Sequence, residues 1–317
     1  MTRCTRLTRC LEPTNETEEN TVILVTGATG NVGRHLVDLL LAAGIRPRAL
    51  TRTPERAQLP EEAEVLGGDL ENPHAVSAAL EGISTVFLNL SALGQTTADF
   101  LTAARKQGVR RIVMLSSSSV QDGLGAAEQP SMLAAWHKAS EDLIEESGLE
   151  WTILRPGEFD ANTLWTWGEQ LRTTGTVRAA YGGAATAPIH ERDIAAVGLR
   201  GLLSDDHIGA RYVLTGPESL TQVDKVRILA QATGRPFRFE EVSPEVARAD
   251  YLTRGMPTQA VDSMQTHFDA AVDGILRYLA RSVGRPAEVT TAVPDVTGRP
   301  ARTFAAWAAE HADAFRA

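Results

Sequence analysis

Apolar and polar positions fall into blocks whose period switches repeatedly between that of a strand and that of a helix. The run Thr21–Thr26 (TVILVT) is continuously apolar and β-rich, as for a strand buried on both faces. A glycine-rich turn follows, then an amphipathic pattern over Asn31–Ala43 that Gly44 stops. Strands are predicted at Arg46–Arg52, Glu64–Leu66, Ser84–Asn89, Arg110–Leu115 and Glu150–Leu154. Helices are predicted at His74–Glu81, at Thr97–Gln107 before Gly108, and at Pro130–Ser147 before Gly148. Arg155-Pro156-Gly157 breaks the sixth strand.

Strands alternating with helices through short connections imply an α/β fold, a Rossmann-type doubly wound parallel sheet with right-handed crossovers. The rhythm changes after Pro156. A helix at Glu191–Leu203, a strand at Arg211–Leu214, a helix at Thr221–Thr233 and a strand at Phe237–Glu240 are followed by helical stretches. Three regions are therefore expected: a tail over 1–20, a nucleotide-binding domain over 21–156, and a smaller, mostly helical lobe over 157–317 that covers the cleft. The last boundary is soft, because a strand beyond it can return to the main sheet.

Composition narrows the function. A net charge of -9 argues against a surface that tracks nucleic-acid phosphates. No apolar run reaches the length of a membrane span. The two cysteines, Cys4 and Cys10, sit in the tail without metal-ligand partners. The remainder needs no oxidising compartment, so a cytoplasmic protein is expected. The tail is basic from Thr2 to Arg9 and then polar and acidic, the pattern of a disordered leader. The histidines, His267 among them, show no metal-binding spacing, and no metal is expected.

The chemical signal is strongest at Thr26-Gly27-Ala28-Thr29-Gly30-Asn31-Val32-Gly33. Gly27 permits the tight turn, Gly30 admits a close backbone approach, and Gly33 lets helix pack on strand. Amides at the helix N-terminus, from Thr29 to Gly33, then favour a diphosphate, and the flanking βαβ unit is the context this reading requires. At the end of the second strand an acidic residue would favour NAD, but Thr51-Arg52 stands there, with Arg48 nearby. A guanidinium grips a 2′-phosphate, so NADP(H) is expected over NAD(H), unless Arg52 is only a solvated surface group.

The G-x-x-G-x-x-G spacing resembles the atypical branch of the short-chain dehydrogenase/reductase superfamily. Arg48–Arg52, Gly68-Asp69, Ser140-Glu141 and Trp151–Pro156 extend the likeness to its NmrA-like group of NAD(P)H oxidoreductases and redox sensors, over residues 21–215. The resemblance implies that Asp69 and Leu70 lie against adenine, and that Asn89 and Ser91 flank ribose and diphosphate. It puts a substrate-orienting serine in Ser116–Ser119, so Ser116 is a cofactor contact and Ser117 or Ser118 binds a carbonyl, unless these hydroxyls only cap the loop. Asp69 can equally be a turn or helix cap, with Asn72 and Pro73 following.

The superfamily's Tyr-x-x-x-Lys pair is absent. Counting back from Gly148, the resemblance places Leu133 at the tyrosine position and His137 at the lysine position, with Lys138 beside it. Hydride transfer needs only a bound nicotinamide and a positioned acceptor. His137 then serves as proton donor, as ribose contact or as structure, and Lys138 or water are other donors. Pro156 and Phe159 leave the sixth strand where the nicotinamide end should lie. Trp136, Phe159, Trp165 and Trp167 are candidates for a substrate pocket, the tryptophans equally for core packing. The leading reading is an NADPH-dependent reductase of a small aromatic, quinone-like or ketone acceptor. The alternatives are a non-catalytic sensor with a protein partner and a sugar-nucleotide epimerase-like enzyme, which also wants the tyrosine. The chain is expected to act as a monomer or homodimer, without nucleic-acid or membrane partners.

Overall fold

A computed structural model describes residues 22–93, 96–254 and 268–316. The expected tail with Cys4 and Cys10, the start of the first strand at Thr21, and His267 lie outside the described residues. The first half follows the sequence pattern. Strands β1 (Val22–Thr26), β2 (Arg48–Thr51), β3 (Glu64–Gly67), β4 (Ile83–Asn89), β5 (Arg111–Leu115) and β6 (Glu150–Pro156) alternate with helices. These are α1 (Gly33–Ala42), α2 (Pro73–Leu80), α3 (Thr97–Lys106) and α4 (Met132–Glu146). Two later elements join this layer, α6 (Glu191–Leu203) and β9 (Ala210–Leu214). The sheet runs β3-β2-β1-β4-β5-β6-β9, and every pairing in it is parallel. Strand order reverses at β1 and β4, the switch point where ligands bind in open α/β sheets.

Alternation sends neighbouring residues to opposite cores. Ile23, Val25, Val113 and Leu154 face α1, α6 and the short helix α10 (Ala292–Thr297). Leu24, Ile112, Met114 and Ile153 face α2, α3 and α4. Burial on both faces explains why the strands read as unbroken apolar runs. The strand that returns is β9, which pairs with β6 from Thr152↔Ala210 to Pro156↔Leu214. Strand six thus runs two residues past its expected end: proline closes a strand without harm where no further ladder donor is needed.

The small lobe has its own cores. Helix α5 (Asn162–Thr173), absent from the sequence expectation, packs with α7 (Gln222–Thr233) and α11 (Phe304–Glu310) around Trp167, Leu171, Leu229, Trp307 and Phe315. Strand β7 (Thr176–Ala179) pairs in parallel with β11 (Arg238–Glu241), and β8 (Ala185–Thr186) with β10 (Leu220–Thr221) antiparallel. A further cluster joins α8 (Pro244–Arg254) to α9 (Phe268–Ser282) through Tyr251, Val272 and Leu276. No helix among the described residues is long and apolar enough to cross a membrane.

Candidate functional site

The glycine turn sits at the switch point, and its residues differ in what they tolerate. Gly27 has φ +61°, and a Cβ there would stand 2.6 Å from Asn89 Nδ2. A Cβ on Gly30 would lie 3.1 Å from the Gly27 carbonyl oxygen. Gly33 is the tightest: its Cβ would fall 2.2 Å from that same oxygen, so only glycine lets α1 start against the turn. Thr26 ties the crevice walls, its hydroxyl donating to the Phe87 carbonyl at 3.1 Å and accepting from the Asn89 amide at 2.8 Å. Helix α1 has no side-chain cap and no acidic residue in its first turn. Among the described residues no backbone carbonyl takes the amides of Asn31, Val32 or Gly33. Free amides and an unopposed helix dipole form a seat for an anion, so the turn fits a dinucleotide diphosphate.

At the end of β2, Thr51 is buried with its hydroxyl 3.5 Å from that of Thr29, and Arg52 emerges exposed. Sequence reading missed a second guanidinium. Arg34 donates from Nη2 to the Thr29 carbonyl at 2.7 Å and from Nε to that of Gly30 at 3.3 Å. The signal was an arginine directly after the third glycine. Arg48 is no part of this end: it starts β2, where it pairs with Glu64 at 2.9 Å and donates to the carbonyls of Ala79 and Glu81. Asp69 is exposed and caps its own turn, accepting from the Glu71 amide at 3.0 Å, while Asn72 caps α2. Leu70 needs correction: it is 2% exposed, with its side chain in the core and its carbonyl accepting from the Thr96 hydroxyl at 3.3 Å, so its side chain does not lie against adenine. Asn89 Oδ1 accepts from the amide of Ser91, which is exposed.

Beyond β5 and β6 several assignments change. The hydroxyl of Ser116 is buried and donates to Glu141, so its side chain is not a cofactor contact. Glu141 is fully buried and also accepts from Arg155 Nε at 3.0 Å and Nη2 at 2.6 Å. Arg155 Nη1 holds Asp122 of the β5–α4 loop at 2.8 Å. A paired, bidentate arrangement makes burial of both charges tolerable, and it fixes α4 against the sheet. Ser117 shares a hydroxyl contact of 2.9 Å with Ser119. Ser118 is exposed, and its amide donates to the Pro156 carbonyl at 3.0 Å.

His137 lies one turn before Glu141 on the same helix, 9% exposed, with Nδ1 unpaired among the described residues. Burial pushes its imidazole down to about 4, so it is neutral near pH 7 and is no cationic proton donor. Its ring centroid is 5.1 Å from that of Trp136, which packs on the α2–α4 side. Lys138 forms an ion pair with Asp142 along α4, and its ammonium is committed there. Leu133, at the tyrosine position, is partly exposed.

Phe159 bridges to Ile189 and packs on the α1–α6 side of the sheet. Trp165 tilts against Tyr251 of α8 at 5.9 Å. Trp167 is not a pocket residue: it is 4% exposed in the small-lobe core, with the Lys225 ammonium 5.2 Å from its ring centroid. That ammonium stands 3.0 Å from both Glu158 oxygens and 3.2 Å from the Thr186 hydroxyl. Asp160 beside it is fully buried, and neither carboxyl oxygen has a hydrogen-bond partner among the described residues. Burial first, then the charges of Glu191 and Glu158, push Asp160 up to about 9. Glu191 caps α5 by accepting from the Ala161 amide at 2.7 Å, and burial raises it to about 7. Among the described residues no group of three or more His, Cys, Asp or Glu side chains is placed to hold a metal ion.

Residues 27–205 match the NAD(P)H-binding family. The chain is 35% identical to a (4-alkanoyl-5-oxo-2,5-dihydrofuran-3-yl)methyl phosphate reductase of Streptomyces griseus, over 93% of this chain and 99% of that protein. It is 34% identical to an NAD(P)H azoreductase of Xenophilus azovorans, over 93% and 100%. Its fold matches an Escherichia coli NADPH-dependent quinone oxidoreductase complexed with NADPH, with TM-score 0.73 and 23% identity over 91% and 99% of the two chains. It also matches NmrA, a negative transcriptional regulator, in complex with NADP, with TM-score 0.67 and 17% identity over 92% and 95%.

Proposed function

This chain belongs to the NAD(P)H-binding family, and from that premise we propose that it is an NADPH-dependent reductase of small conjugated acceptors, with quinone, azo and activated-enone groups as the substrate classes. Bound at the glycine turn, the cofactor supplies a hydride. The uncapped amides of Asn31, Val32 and Gly33 would hold its diphosphate, and Arg52 with Arg34 would hold a 2′-phosphate at the end of β2. Phe159, which follows β6, and His137 of α4 would flank the nicotinamide. A neutral His137 could donate one hydrogen bond and accept another, and it carries no positive charge.

One observation carries the choice of acceptor. The helix that bears the superfamily's tyrosine and lysine here presents an aliphatic residue, a neutral imidazole and a lysine already paired. Alcohol and sugar oxidation need a base at that place. Acceptors whose electron pair moves onto a delocalised oxygen or nitrogen do not, because the charge is spread before a proton arrives. This also weighs against the epimerase-like reading. Mixing the protein with NADPH and a panel of quinones, azo dyes and enones, and separately with NADP and secondary alcohols, and following the nicotinamide absorbance, tests the proposal. Oxidation with the conjugated acceptors and none of the reverse reaction with the alcohols is expected. Tight NADPH binding without turnover on any acceptor would instead favour the sensor.

A further inference from the structure

Arg155 is a buried cation that ties its own strand to two other parts of the chain. It stands just before the end of β6, with its side chain 3% exposed. Nε and Nη2 hold Glu141 of α4 at 3.0 and 2.6 Å, and Ser116, directly after β5, donates to the same carboxylate. Nη1 is left over, and it reaches out of the core to Asp122 at 2.8 Å, whose side chain is 81% exposed. Lys138 of α4 and Arg211 of β9 add positive charge around that carboxylate. Asp122 belongs to the β5–α4 loop, residues 117–131, which holds its own shape. The Gln129 side chain accepts from the Gln121 amide at 2.9 Å and donates to the carbonyls of Gln121 and Leu124 at 2.9 and 3.0 Å. Glu128 accepts from the Gly125 amide at 3.0 Å, and Ser131 caps α4 by accepting from the Ala134 amide at 3.1 Å. A loop tied internally moves as a body. Its seat on β6 is set by the Ser118 amide, which donates to the Pro156 carbonyl at 3.0 Å, and by the Asp122–Arg155 pair. The loop leaves the C-terminal edge of the parallel sheet, where ligands of such sheets bind. Ser117 and Ser118 stand at its start, and the exposed Met132 and Leu133 of α4 follow its end.

We propose that Asp122 is a positioning residue that sets the width of the acceptor slot. Latched to Arg155, it fixes the serines of the loop and the first turn of α4 at a set distance from the segment after β6 that carries Phe159. The proposal rests on the reductase reading. A slot of fixed width holds a flat, small acceptor close to the nicotinamide, and reaction in a bound pair falls steeply when the reacting atoms drift apart. Asp122 itself acts only through the loop and Arg155. An ion pair with so exposed a partner contributes little to stability, so the latch can be opened without unfolding the protein. Arg155 then keeps both of its bonds to Glu141.

The test uses the full-length protein and two acceptors of the class that wild type reduces best, one small and one large; for quinones, a one-ring and a three-ring compound. In Asp122→Ala, kcat/KM for the small acceptor is expected to fall about tenfold, and that for the large one to change less than about twofold, because a large acceptor still fills the wider slot. Asp122→Glu keeps a carboxylate for Arg155 and should recover most of the lost rate. The NADPH Kd and the urea midpoint should be unchanged in both variants. An unchanged ratio of the two rates, a shift in favour of the small acceptor, no recovery in Asp122→Glu, or weakened NADPH binding overturns the positioning role. Wild-type protein that binds NADPH yet reduces no conjugated acceptor overturns the reductase reading itself.

Discussion

Replacing Asp160 by asparagine exchanges a buried acid for a neutral group of nearly the same shape, and its effect on stability should change with pH. The ordinary aspartate value is 3.8, and burial with its carboxylate neighbours pushes Asp160 up to about 9. Between those values the folded protein holds a proton that the unfolded chain releases. The unfolded state therefore binds fewer protons, and this group's contribution to stability falls as pH rises from 3.8 towards 9. At pH 7 the gap is about three units, a penalty of about 4 kcal/mol, at 1.36 kcal/mol per unit. Below pH 4 the penalty vanishes, because the acid is neutral in both states. Asparagine avoids the ionisation but keeps a desolvated amide, so a gain of about 2–4 kcal/mol at pH 7 is expected, shrinking to nothing or a small loss near pH 4. Urea unfolding of both proteins at pH 4.5, 7 and 8.5 measures it. A variant less stable than wild type at pH 7, or a difference that does not grow with pH, would refute the reasoning.

Other consequences are equally direct. Gly33→Ala must push its Cβ off the Gly27 carbonyl, so NADPH affinity should drop at least tenfold in a protein that still folds; unchanged binding would contradict the packing at that turn. Arg52→Ala should cost about 1.5–3 kcal/mol of NADPH binding, roughly tenfold or more, with NADH hardly affected, and Arg34→Ala should act in the same direction; parallel titrations with both cofactors decide this. Glu141→Ala strands the buried Arg155 guanidinium and should destabilise by about 3–5 kcal/mol in chemical denaturation, whereas an effect under 1 kcal/mol would mean that water replaces the carboxylate. His137 is lowered by burial, so its site loses stability as pH falls from 6.5 towards 4; its imidazole resonances should stay in the neutral position down to about pH 5.

The sheet was legible because its strands are buried on both faces and its turns carry glycines. Each of the eight predicted strands exists, with ends displaced by a residue or two, and the helices Glu191–Leu203 and Thr221–Thr233 lie where their caps and periodicity placed them. Helix α5 was missed because Pro156 and Gly157 read as a break and its apolar face is interrupted by Gly168. Strands β8 and β10 are too short to carry a period. Within the site, the glycines needed only local geometry. Ser116 was misread because a hydroxyl after β5 gives no hint that Glu141, a helix away, will claim it. Asp160 was invisible for the same reason: its environment is built by Glu191 and Lys225, 31 and 65 residues further on, and only the folded chain brings them together.

The account stands or falls on a dinucleotide seated over the bare amides at the start of α1. Calorimetric titration of the full-length protein with NADPH measures it. A single site, tight for NADPH, weaker for NADH and weakened by Gly33→Ala, is the predicted result. No heat of binding from either dinucleotide in protein that unfolds cooperatively would contradict it.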